Sequence, residues 1–171
     1  MSDPALRLPK SVEADPRAAR LLEQLTTQRE PLWPASTVQI PVARMSDALA
    51  TALQSAHSAS RVVRGLESAE KALAAEERGL EMADRRSGAP RGVRVSRLLL
   101  LSNDGAARFY RQVEALLRRH GQRVLAVRIA TNADALGALL FGPGRRARLL
   151  MLEHKDAVAA VLLALTAPHQ P

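Results

Sequence analysis

The residues best suited to chemistry in this sequence are its arginines, and what they suit is the binding of phosphate. Arg61 and Arg64 flank a short β-branched segment that ends at Gly65, and Gly65 opens an apolar-periodic stretch. A helix starting there would turn its free N–H groups toward an anion. Arg85, Arg86, Arg91, Arg94 and Arg97 form a second group, and Arg145, Arg146 and Arg148 a third beside Gly142-Pro143-Gly144. Arg118, Arg119 and Arg123 bracket another turn. Arginine heavily outnumbers lysine, and its planar fork matches phosphate oxygens two at a time.

Signals for catalysis are weaker. The histidines His57, His120, His154 and His169 lie far apart and form no metal-spaced pair. Asp104, His154 and Asp156 follow expected strands, where α/β enzymes place sites, but helix caps and solvated turns account for them. There is no phosphate-binding loop and no dinucleotide fingerprint. With no cysteine, a disulfide framework, a zinc ribbon and a thiol nucleophile are excluded. The reading is therefore a non-enzyme with no cofactor and no metal.

The formal net charge of +8 points the same way. A surface this positive gains affinity for polyanions by releasing counterions. The low aromatic content, 2%, argues against modules that stack several bases on aromatic platforms. No apolar run is long enough to span a bilayer, and neither a membrane nor a small-molecule substrate is expected as a partner.

The elements that must position the arginines follow from hydrophobic period. Residues 1–44, punctuated by prolines, read as an extension with one short helix carrying Leu21, Leu22 and Leu25; Trp33 and Ile40 would pin it to the domain or to a protein partner. Helices are expected over 46–58 and from Leu66 to near Gly79. Residues 81–94 read as a basic loop insertion. Val95–Leu101, Val124–Ile129 and Ala147–Leu152 read as buried strands. Ser102-Asn103-Asp104-Gly105 would cap a helix with Phe109, Val113, Leu116 and Leu117 inward. Thr131-Asn132 would cap another, and a last helix would run from Asp156 to about Thr166. Strands alternating with helices predict an α/β domain over 45–171, with helices on both faces of a small sheet.

The run Val63-Arg64-Gly65-Leu66-Glu67-Ser68-Ala69-Glu70-Lys71 resembles the RNA-binding segment of the archaeal ribosomal protein L-seven-Ae family. That family includes the H/ACA particle protein Nhp-two and relatives in RNase P and RNase MRP. Leu98–Asp104 and Thr131-Asn132-Ala133-Asp134-Ala135-Leu136-Gly137 are similar to later family motifs, in the family's order. The resemblance implies a three-layer α-β-α sandwich with a small mixed sheet. It implies an RNA-binding subunit of a ribonucleoprotein that assembles with other protein subunits. Arg61, Arg64, Gly65, Glu67, Ser68, Lys71, Thr131 and Asn132 would face structured RNA, with Arg85, Arg86, Arg91, Arg94, Arg97, Arg145 and Arg146 as a secondary basic patch. Glu67 and Ser68 stand where the family carries other residues, which favours shape-based over kink-turn-specific contact. The H/ACA or RNase MRP branch implies a nuclear or nucleolar home, a ribosomal branch a cytoplasmic or organellar one. The alternative reading is a protein-interaction module of the same fold with little direct RNA recognition.

Overall fold

A computed structural model describes residues 5–88 and 93–168. The chain is an α/β protein. Its elements run α1 (Lys10–Glu13), α2 (Ala18–Thr27), β1 (Arg29–Pro31), β2 (Gln39–Ala43), α3 (Asp47–Ser58), β3 (Val62–Arg64), α4 (Leu66–Ser87), β4 (Arg97–Leu101), α5 (Ala107–His120), β5 (Val124–Ile129), α6 (Ala133–Phe141), β6 (Leu149–Leu152) and α7 (Lys155–Ala164). No helix among the described residues is long and apolar enough to cross a membrane.

The strands form one mixed sheet in the order β1-β2-β5-β4-β6-β3. β2, β5 and β4 are parallel; β6 runs antiparallel to both β4 and β3, and β1 antiparallel to β2. The run Leu98–Leu101 shows why β4 is apolar after Arg97. Leu98 and Leu100 face a core with α1, α2, α3, α6 and α7, whereas Leu99 and Leu101 face a second core with α4 and α5. A strand covered on both faces needs an apolar residue at every position. Helices on both faces give the three layers that alternating strands and helices predict.

Three expectations are corrected. Residues 5–44 are not an appendage. Leu8, Val12, Leu21 and Leu25 are buried in the first core and Leu32 and Ile40 in the second. β2 pairs with β5 through Val42–Arg128 and Ala43–Ile129, so the domain begins well before residue 45. The prolines hid this, because a proline cannot donate to a strand ladder. Trp33 and Ile40 pin this segment to the domain itself.

α4 does not fade at Gly79 but continues to Ser87 and stops at Gly88, whose left-handed φ of 65° ends it. The first half of the expected 81–94 loop, through Ser87, is therefore helix. Ala, Glu and Arg around Gly79 are strong helix formers and outweigh one glycine. Arg91 lies outside the described residues.

Finally, the Ser102–Gly105 segment does not cap α5, whose N-cap is Ala106 with no side-chain hydrogen bond. Asp104 instead accepts from the Ala133 N–H at 3.0 Å and so serves the start of α6.

Candidate nucleic-acid interface

The turn between β3 and α4 is built as the sequence suggests. The Gly65 N–H donates to the Leu149 carbonyl at 2.9 Å, and its carbonyl accepts from Ala69 at 3.1 Å. With φ 90° and ψ 155° it occupies a region closed to residues with a Cβ. It serves as the N-cap of α4 without any side-chain bond to the helix start, so the first N–H groups are not claimed by a cap.

Arg64 is exposed, yet part of its fork is already used. Its Nε and Nη2 donate to the Arg146 carbonyl at 3.0 and 2.5 Å, and its guanidinium lies 4.8 Å from the Phe141 ring centre. Glu67 and Lys71 are both exposed and form a 3.5 Å pair one turn apart, which cancels charge at the start of α4. Ser68 is exposed beside them. Arg61 sits at the other end of β3, 4.0 Å from Asp156, and so is not part of this turn.

The loop before α6 meets the same edge of the sheet. Asn132 caps α6 by accepting from the Ala135 N–H at 2.8 Å, and the Thr131 carbonyl accepts from Asn103. Gly137 lets residues 145–146 pack directly against α6: a Cβ there would lie 1.9 Å from the Arg145 carbonyl oxygen. Arg146 pairs with Asp134 at 2.8 Å. Arg145 and Arg148 are exposed and hold no ion pair among the described residues.

The sheet order gathers what the sequence scatters. Arg44 follows β2, Arg128 lies one residue from the end of β5, Arg148 precedes β6 and Arg64 ends β3. The strand registers place all four at one edge, about 20 Å wide for strands about 4.8 Å apart. Arg44 and Arg128 escape sequence reading, since each merely ends an apolar run and only long-range pairing sets it beside the others.

The expected secondary patch does not form as one surface. Arg94 donates to the Leu8 carbonyl at 2.9 Å and pairs with Glu13 at 2.8 Å. Arg97 pairs with Glu76 at 2.8 Å, and buried Arg123 bridges Glu76 and Glu77 at 2.9 and 3.3 Å. These arginines hold the N-terminal segment, α4 and β4 together. Arg85 and Arg86 are exposed in the last turn of α4, about 30 Å along the helix from Gly65.

The residues considered for catalysis do not converge. Asp104 follows the C-terminal end of β4, whereas His154 and Asp156 follow β6, which runs the opposite way, so they lie at opposite edges of the sheet. His154 caps α7 through Nδ1, accepting from the Asp156 N–H at 3.1 Å. Among the described residues no group of three His, Asp or Glu side chains is arranged to hold a metal ion.

Among solved structures, the chain is similar to a protein of unknown function from Bacillus halodurans, at 20% identity over 71% of this chain and 98% of that one, with a TM-score of 0.41. No family model and no curated protein matches the chain.

Proposed function

We propose that this chain is a non-catalytic RNA-binding subunit of a ribonucleoprotein particle and a divergent member of the L-seven-Ae family. The arginine-lined edge carries the reading. Arg145 and Arg148, with no ion pair among the described residues, stand beside the Gly65 turn and the uncapped start of α4, so cations and backbone donors face one surface. With Arg64 anchored on the Arg146 carbonyl, it is Arg145 and Arg148 that offer their full forks to phosphate. Such a surface follows the backbone of a structured RNA and reads its shape. A nuclear or nucleolar particle belongs to the same proposal.

The test is a salt series with a kink-turn RNA and a plain hairpin, comparing the wild type with the Arg145→Glu, Arg148→Glu double variant. Binding should weaken steeply with salt, and the double variant should bind less tightly and with a shallower slope. Salt-independent binding, or none, would overturn direct RNA recognition.

The exposed Glu67–Lys71 pair supports the second reading, a protein-interaction module of the same fold. In that case Lys71→Glu should disrupt a complex with a protein partner while leaving RNA affinity at the level of the wild type.

A further inference from the structure

At the other half of the same edge, two adjoining cavities of about 420 and 580 Å³ share Glu30, Asn103 and Arg128. Both volumes lie within the range of small-ligand sites. They open at the C-terminal ends of the parallel strands β2, β5 and β4. The chain leaves β4 for α5 on one face and β5 for α6 on the other. That divergence is where open α/β sheets leave a crevice for a ligand.

The two lobes differ in chemistry. The larger is apolar and aromatic, lined by Trp33 and Tyr110 with Pro31 and Pro34. Its rings are held in place: Arg111 lies 4.9 Å from the Trp33 ring centre and Arg128 4.7 Å from that of Tyr110. The Tyr110 hydroxyl donates to the Ser102 carbonyl at 2.7 Å and accepts from the Gly105 N–H at 3.0 Å. The smaller lobe is the more polar of the two. Arg44 lines it, exposed and with no partner among the described residues, beside Gln28. Between the lobes stand the Asn103 amide, which has no side-chain hydrogen bond among the described residues, and the Glu30 carboxylate, held only loosely by Arg128 at 3.5 Å.

We propose that this crevice binds a nucleoside monophosphate unit, either as a free nucleotide or as an unstacked nucleotide of a single-stranded RNA. The base lies in the larger lobe against the half-buried Trp33 ring, a fixed surface that costs little entropy to stack on, with buried Tyr110 behind it. The Asn103 amide, donor and acceptor at once, meets the base edge. Glu30 accepts from the ribose hydroxyls, and Arg44 takes the phosphate. None of these residues belongs to the Gly65 turn, so the site stands or falls separately from structured-RNA binding there.

Trp33 is the only tryptophan in the chain, so its fluorescence reports on the aromatic lobe directly. The full chain would be titrated with AMP, adenosine, inorganic phosphate and a six-nucleotide oligoadenylate. AMP should quench Trp33 saturably, with about tenfold weaker binding in Arg44→Glu and for adenosine, which lacks the phosphate. Asn103→Ala should weaken binding independently, and Arg78→Glu, an exposed charge reversal on α4, should leave it unchanged. Quenching by the oligoadenylate alone, with the same dependence on Arg44, would support the site and assign the unit to RNA. Absence of quenching by either would overturn the proposal. So would quenching that survives Arg44→Glu, or inorganic phosphate binding as tightly as AMP.

Discussion

The guanidinium of Arg64 and the carbonyl of Arg146 are joined by two hydrogen bonds, from Nε at 3.0 Å and from Nη2 at 2.5 Å. An arginine whose type and position suggest a phosphate contact is thus also the tie between the end of β3 and the loop entering β6. Lysine keeps the charge but cannot reproduce the forked geometry. Arg64→Lys should lose about 1 kcal/mol in urea unfolding and speed amide exchange in residues 145–148. Unchanged stability and exchange would show that the tie contributes nothing.

Gly137 and Gly79 should respond oppositely to alanine. At Gly137 the added Cβ would meet the Arg145 carbonyl oxygen at 1.9 Å, so Gly137→Ala should cost about 1–3 kcal/mol and weaken RNA binding by displacing Arg145 and Arg148. At Gly79 nothing lies within 4 Å, and Gly79→Ala in the exposed middle of α4 should stabilise by about 0.5–1 kcal/mol. Paired thermal melts check both signs.

Two groups should shape stability toward acid. Burial, reinforced by nearby Arg123, holds His120 below its ordinary value of 6.5 despite Glu77 at 3.6 Å. The unfolded chain therefore takes up a proton near 6.5 that the folded chain refuses. Stability should fall as pH drops below 6.5, and His120→Gln should flatten that slope. Glu13 behaves in the other sense. Hydrogen bonds from Arg7 and then Arg94 hold its carboxyl at about 2 against an ordinary 4.5. Its contribution is present above 4.5 and is lost as pH falls toward 2, so Glu13→Gln should remove that lower step. Denaturant midpoints across the pH range separate the two, and identical profiles for wild type and either variant would refute that assignment.

A chain beginning at residue 45 should fail to fold. It would lack Leu8, Val12, Leu21, Leu25, Leu32 and Ile40 from the two cores, together with the strand that covers β5. Loss of a cooperative thermal transition is the expected result; a sharp transition with native circular dichroism would contradict this account of the N-terminal segment.

What could be read from the sequence followed local rules. β4 and β5 appear as aliphatic runs, α3 as a helical period, and α6 behind Asn132, whose side chain does accept from Ala135. The Gly65 turn was equally legible, because only glycine tolerates its backbone angles. The failures are long-range. β1 and β2 carry Pro31 and Pro41, and their place in the sheet depends on pairing with β5 far along the chain. Asp104 caps a helix 29 residues away. Arg94 and Arg97 look like free charges until Glu13 and Glu76 are brought beside them by folding. The arginine edge is invisible for the same reason: sheet order, not sequence order, assembles it.

The outermost strands, β1 and β3, are three residues each; β1 ends in a proline, and β3 gives way at once to Gly65 and a helix. The longer aliphatic strands β4, β5 and β6 all lie inside the sheet. A template this short and this interrupted gives a neighbouring molecule little backbone to add to. Copies of this protein could therefore be held at local concentrations where bare strand edges would coalesce, and still come apart on dilution.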